Sequence, residues 1–240
     1  MKLFKTVSII IPAYNEVNTI SKLIKKIKAI NLSSIKFKKD IIVINDGSTD
    51  GTKSVLKKIK GIKVLNTINQ GKGKAVQAGI KASNSDYILV QDADLEYDPQ
   101  DYFVLLKPLL SKKKIVIYGS RTLMNQKKYK NKIFIGKHPN QGFGPYIMNK
   151  ILQIIFYILY KQNIHDLLTG YKVYERKFFY FNKIITNGFE TDHEISVKLI
   201  KNNYKIIEIP VNYNPRTVQE GKKIKFTDGV KAIYTLIKFL

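Results

Sequence analysis

The sequence predicts an α/β fold, a doubly wound and mostly parallel sheet with helices on both faces. Three observations predict it. Short β-branched runs recur at residues 7–11, 41–44, 62–65, 87–91 and 115–118. The segments between them carry apolar residues at helical spacing, and polar loops follow the strands directly. Strands alternating with helices build parallel sheets, in which ligands sit beyond the carboxyl ends of the strands.

In chain order, V-S-I-I-I is the first strand, expected to break at Pro12. Ile20, Leu23, Ile24, Ile27 and Ile30 then form one apolar stripe of a helix with lysines between them. The second strand, 41–44, runs into the loop N-D-G-S-T-D-G-T, and a short helix carries Val55, Leu56 and Ile59. After the third strand, G-K-G-K at 71–74 opens a helix over 75–81. It lacks the third glycine of a dinucleotide fingerprint and the G-K-[ST] of a P-loop, so a plain helix start is the simpler reading. Pro99 turns the chain into a helix expected over 100–110.

Past Gly119 the pattern changes. Residues 127–144 are polar with glycines at 136, 142 and 144, the composition of a loop or lid. A helix is expected over 147–161, in which I-L-Q-I-I-F-Y-I-L-Y is too short to span a bilayer. It is either a core helix or one lying in a membrane interface between Lys150 and Lys161. A helix through Ile195, Leu199 and Ile200, a strand over 205–211 and an amphipathic helix from about Asp228 complete a single expected domain, 1–240.

Six of the 18 acidic residues fall within 86–101, where Asp92, Asp94 and Glu96 alternate directly after the fourth strand. Like charges this close repel unless a cation or solvent holds them. Two readings follow: a divalent-metal site at a strand's carboxyl end, or a solvated loop capping the next helix.

Composition narrows the classes. With no cysteine, disulfides and thiolate metal sites are excluded and a cytoplasmic setting is compatible. No leader pattern is evident at the start of the chain. The net charge of +24 suits anionic lipid, phosphorylated substrates or nucleic acid. Only Arg121, Arg176 and Arg216 are arginine, and no aromatic RNP pattern is present, which weighs against nucleic acid. Abundant Lys, Ile and Asn often reflect an AT-rich genome, so the planar arginines mark phosphate sites better than the lysines do.

Read together, V-S-I-I-I-P-A-Y-N-E (7–16), N-D-G-S-T-D-G-T (45–52) and Q-D-A-D (91–94) resemble the family 2 glycosyltransferases with a GT-A, Rossmann-like fold. G-S-R (119–121), D-L-L-T-G-Y (166–171), and I-P-V leading to Arg216 and E-G-K-K (220–223) resemble its dolichyl- or polyprenyl-phosphate sugar synthase branch. The resemblance implies that 1–120 binds a UDP- or GDP-hexose and 121–240 the acceptor, a polyprenyl phosphate. It places Pro12, Ala13, Tyr14, Glu16, Asn45, Asp46 and Lys74 along the donor. Asp92 and Asp94, with Glu96, would hold Mg²⁺ or Mn²⁺, and Arg121, Arg216 and Lys222 would hold phosphates. Inversion by direct displacement is implied. A lipid phosphate is already ionised and needs little help from a base, whereas a hydroxyl acceptor needs one, with Asp166 ahead of Asp192 and Glu194. Asn45 departs from the first Asp of the common D-D-G-S, and one tail helix stands where some relatives carry a transmembrane pair. The expectation is therefore a peripheral enzyme on the cytoplasmic membrane face. The alternatives are a soluble transferase acting on a glycan or protein hydroxyl and, remotely, a basic nucleic-acid-binding protein.

Overall fold

Parallel pairing requires a crossover between neighbouring strands, and the alternating apolar pattern supplies one each time. The computed structural model describes residues 3–129, 133–216 and 226–240. β1 (Lys5–Ala13), α1 (Ile20–Ala29), β2 (Phe37–Asp46), α2 (Thr52–Lys57), β3 (Lys63–Thr67), α3 (Lys72–Ala82) and β4 (Tyr87–Val90) come first. α4 (Tyr102–Leu106), β5 (Ile115–Ser120), α5 (Arg121–Lys128) and α6 (Phe143–Tyr160) follow. β6 (Lys172–Glu175), α7 (Phe178–Phe181), α8 (Thr191–Lys201), β7 (Lys205–Pro210) and α9 (Phe226–Lys238) complete the order.

The seven strands form one sheet in the order β3-β2-β1-β4-β6-β5-β7. Every pairing is parallel except those of β6, which runs antiparallel to both β4 and β5. One core layer packs Val7, Ile9 and Ile11 of β1 against Ile20, Leu23 and Leu105. The other packs Ile10, Ile42 and Ile88 against Val76, Phe156 and Leu199. Period-two alternation along β1 therefore feeds both layers, as a sheet covered on both faces demands.

The structure corrects several boundaries. Pro12 does not end β1; it stays in the strand opposite Ile44. The Ile10 carbonyl accepts from Gln91 on the β4 side, and residues two apart point the same way, so Pro12 turns its missing N–H to where β4 has already ended. The helix expected over 100–110 is α4 alone, between 3₁₀ turns at Pro99–Asp101 and Lys107–Leu110. Pro108 has no N–H for an i→i−4 bond, so the α-helical ladder stops before it. The expected 127–144 loop is shortened from both sides. α5 occupies its start, capped by Ser120 Oγ accepting from Leu123 N at 3.3 Å. α6 begins at Phe143 rather than 147, because Pro145 falls in its first turn, where backbone donors are unpaired anyway. β6 was not legible at all: four residues, all buried, with Lys172 and Glu175 at its ends.

α3 crosses β1 and β2 so closely that a Cβ on Gly79 would lie 2.5 Å from Ile10 and 2.8 Å from Ile44. Gly79→Val is expected to lose about 2 kcal/mol by overpacking, read as a lower urea midpoint. Gly144 has nothing within 4 Å of such a Cβ. Gly144→Ala is expected to be neutral or to gain up to about 1 kcal/mol from helix propensity.

Candidate functional site

The sheet brings scattered loops to one rim. Ala13 pairs with Asn45 at the ends of β1 and β2, and Ile10 with Val90 where β4 ends. Because β6 is reversed, its first residue, Lys172, lies opposite Val90 and Tyr118 at the same rim. The D-L-L-T-G-Y run thus arrives beside the residues that leave β4 and β5, namely Asp92 and Arg121. Gly170 makes the approach possible: a side chain there would collide with the Asp92 carboxylate and the Tyr97 ring. Its N–H donates to Tyr97 Oη at 2.8 Å, and the Thr169 hydroxyl donates to the Gly119 carbonyl.

The acidic loop is threaded with cations. Lys72 Nζ lies 2.5 Å from Asp92 Oδ1. Arg216 places its guanidinium 3.2 Å from Asp94 and 3.5 Å from Glu16, and its backbone N–H donates to Glu96 at 2.8 Å. Glu96 also accepts from Tyr213 Oη at 2.8 Å, so both its oxygens strap residues 213–216 to the rim. Burial, then the charges of Asp92 and Glu96, raise the Asp94 pKa to about 7 despite Arg216. Burial works against the Lys72 ammonium, but Asp92 and Asp192 outweigh it and hold its pKa above the ordinary lysine value. Among the described residues, no group of three His, Asp or Glu side chains converges closely enough to hold a metal by itself.

The structure also places the donor-side residues. Pro12 and Ala13 end β1, and Tyr14 is exposed beyond them. Glu16 is buried and accepts from Thr19 Oγ1 at 2.7 Å. Asn45 donates to Asn66 at 2.9 Å and accepts from Ser48 N at 3.3 Å, so it shapes its own loop. Asp46 accepts from Thr67 Oγ1, Gln70 N and Gly71 N at 3.0–3.1 Å and fixes the entry to α3. Lys74 lies in the first turn of α3, its N–H bonded to the Asn187 carbonyl at 3.0 Å. Lys222 and the rest of E-G-K-K lie outside the described residues.

On the other side, Arg121 and Asp166 form a bidentate pair. Nε donates to Oδ2 at 2.8 Å, Nη2 to Oδ1 at 2.7 Å, and the Arg121 backbone N–H adds a third bond at 2.9 Å. The Asp166 side chain is 1% exposed and Arg121 stacks 5.0 Å over Tyr213. Five N–H donors less two leaves Arg121 three for a ligand. Glu194, fully buried, is taken by Lys198 at 2.5 Å and by the Ile185 and Thr186 amides. Asp192 lies 3.3 Å from Lys172, a wholly buried lysine whose pKa is lowered by burial against the pull of Asp192.

Two of these groups escaped the sequence reading. Lys72 belongs to G-K-G-K, which matches no phosphate motif, and the second glycine of that run serves packing: a Cβ on Gly73 would strike Asn187 and Thr191 at the start of α8. The usable signal was position, since a helix that follows a strand begins at the ligand-binding rim. Lys172 carried no signal, because its burial depends on the unexpected β6.

The family model for "Glycosyl transferase family 2" matches residues 8–181. A dolichyl-phosphate beta-glucosyltransferase of Trichomonas vaginalis is 29% identical over 97% of this chain and 72% of its own length. A UDP-N-acetylglucosamine–dolichyl-phosphate N-acetylglucosaminyltransferase of Methanococcus voltae is 24% identical over 97% of this chain and 95% of its own. Among solved structures, glucosyl-3-phosphoglycerate synthase from Mycobacterium tuberculosis, in complex with Mn²⁺, UDP and phosphoglyceric acid, is similar with a TM-score of 0.71. That likeness, at 18% identity over 98% of this chain and 78% of the other, is one of fold.

Asp166→Asn leaves Arg121 buried without its counter-charge, and the expected cost is about 3 kcal/mol of unfolding free energy, measured by urea denaturation. An unchanged midpoint would mean that the bidentate pair does not hold α5 to the 166–171 turn.

Proposed function

The chain belongs to glycosyl transferase family 2, and from that premise we propose that it moves a hexose from a UDP- or GDP-sugar to a polyprenyl phosphate with the help of Mg²⁺ or Mn²⁺. The curated relatives that act on dolichyl phosphate support the acceptor class, and the synthase solved with Mn²⁺ and UDP supports the donor and the metal. In this reading residues 1–120 carry the donor and 121–240 the acceptor.

The observation that carries the acceptor reading is what the carboxylates on that side are doing. Asp166 is saturated by Arg121, Glu194 by Lys198 and two backbone amides, and Asp192 is tied to Lys172. A hydroxyl nucleophile requires a base to take its proton; a phosphate nucleophile, ionised near neutral pH, does not. In our reading Asp166 positions Arg121, whose three remaining N–H groups receive the acceptor phosphate in planar, multidentate fashion.

The donor residues fit a hard divalent cation. Asp92 and Asp94 would hold it through hard carboxylate oxygens, in a loop whose crowded negative charges favour a cation. The chemistry supplied there would be Lewis-acid stabilisation of the departing nucleotide diphosphate. Lys72 lies 2.5 Å from Asp92 and Arg216 3.2 Å from Asp94. In our reading these two positive groups stand where negative charge develops as the sugar–phosphate bond breaks, an electrostatic contribution of large effect on such a step. Tyr14, exposed just past the end of β1, offers an aromatic ring to the nucleotide base in this reading.

An extraction assay tests the reaction: radiolabelled sugar is expected to pass into the organic phase only with polyprenyl phosphate present. The Asp92→Asn/Asp94→Asn variant is expected to lose roughly a hundredfold or more of that transfer. Normal transfer by that variant in the presence of chelator removes the metal from the proposal. Labelling of a glycan or protein acceptor in place of the lipid favours the soluble alternative. A separate readout follows from the ion pair. Lys72→Met frees Asp92, and calorimetric titration of the protein with Mn²⁺ alone is expected to show tighter binding than in wild type.

A further inference from the structure

Side chains along β7 alternate between the two core layers. Ile207 and Ile209 pack into the layer that holds Leu105, and Ile206 into the layer that holds Phe156 and Leu199. Glu208 falls on the same face as Ile206, where the alternation calls for another apolar residue. It is a carboxylate instead, with its side chain only 8% exposed. A buried charge is costly unless hydrogen bonds receive it, and those of Glu208 go to two consecutive residues. Oε2 accepts from the His165 backbone N–H at 2.7 Å and from its ring Nδ1 at 2.8 Å. Oε1 accepts from the Asp166 N–H at 2.9 Å.

The other end of the same peptide group is held as well. The His165 carbonyl accepts from Asn149 Nδ2 at 3.2 Å and from Gln153 Nε2, one turn apart on α6. β7 therefore grips the 165–166 peptide by its N–H while α6 grips it by its C=O. The residue fixed in this way is Asp166, whose carboxylate takes the Arg121 side chain in two bonds and its backbone N–H in a third. Any turn of that peptide would swing the carboxylate, and the guanidinium with it.

We propose that Glu208 is a positioning residue of the acceptor site: it fixes the 165–166 peptide, so that Asp166 aims Arg121 at the acceptor phosphate. The inference rests on the function proposed above, in which Arg121 receives that phosphate. The chemistry of the side chain fits the task. A carboxylate offers both oxygens to three N–H donors, whereas an amide of the same shape offers one oxygen and turns an NH₂ group against the others. Accuracy matters here because a planar guanidinium binds phosphate through parallel bonds of fixed geometry. A displacement of about 1 Å at such a group can cost about a hundredfold in rate.

The chain has only three arginines, so the Nε–H resonances of the full-length protein labelled with ¹⁵N-arginine form a small set that tests the coupling without any ligand. In Glu208→Gln, solvent exchange of the Arg121 Nε–H is expected to quicken roughly tenfold or more as its bond to Asp166 loosens. The Arg176 Nε–H, which donates to the Ser85 carbonyl at 2.8 Å, is expected to keep its wild-type rate. In the extraction assay the same variant should raise the KM for polyprenyl phosphate roughly tenfold and leave the KM for the sugar nucleotide unchanged. Added to Arg121→Lys, it should cause little further loss, since both changes act through one guanidinium. Glu208→Asp keeps the charge but draws the oxygens back by one methylene; it is expected to show the same selective effects and serves where the Gln variant does not fold. Unchanged Arg121 exchange overturns the proposal. So does faster exchange at Arg121 and Arg176 together, which marks general loosening, and so do additive losses in the double variant. Selective exchange at Arg121 in a protein that transfers nothing to polyprenyl phosphate removes the acceptor and leaves Glu208 as the residue that holds Arg121. Normal transfer with unchanged exchange does the reverse.

Discussion

Carboxylates crowded at the end of a sheet repel one another, and most of the rim is arranged to offset that repulsion. Glu16, Asp92, Asp94 and Glu96 come from two loops, and Lys72 and Arg216 from two others close on them. The C-terminal segment is drawn in by the same demand. Tyr213 and the Arg216 backbone bond Glu96, Asn212 bonds Asp101, and an isolated bridge joins Tyr97 to Tyr213. Four carboxylates and two basic side chains thereby balance one another in a single cluster, a fixed arrangement of charge at the end of the sheet.

A single reversed strand decides what stands opposite that cluster. In an all-parallel sheet β4 and β5 would be neighbours, and the segments entering strands would lie at the far edge. β6 between them, running the other way, brings its entry segment to the rim and sets Gly170 against Asp92 and Asp166 against Arg121. The cost is polar burial at the strand's start. Lys172 sits wholly inside, over the Tyr118 ring at 5.1 Å, with Asp192 and the Leu167 carbonyl as its polar partners. A buried ammonium is tolerated only with such partners.

The two halves of the chain meet their surroundings differently. The helices packed on the first strands hide their apolar stripes: Ile20, Leu23, Ile24 and Ile27 of α1 are all buried. α6 and α9 each have apolar residues on two sides, one used by the core and one left over.

The parallel half of the fold and the convergence of 14–16, 45–50 and 92–96 were legible in the sequence because both rest on local periodicity. A β-branched run followed by a polar loop signals a strand's carboxyl end wherever it occurs. The acidic cluster was legible for a similar reason, since six carboxylates in sixteen positions stand out in so basic a chain. What the sequence left open were pairings between distant segments. Whether Asp166 serves as a base or as the anchor of Arg121, and whether Lys72 meets Asp92, depend on which strands become neighbours. So does the choice between core and interface for residues 151–160, and the tertiary structure answers that one side of the helix is core and the other is bare. Helical spacing shows that two sides are apolar; only packing against the sheet shows which of them is already covered.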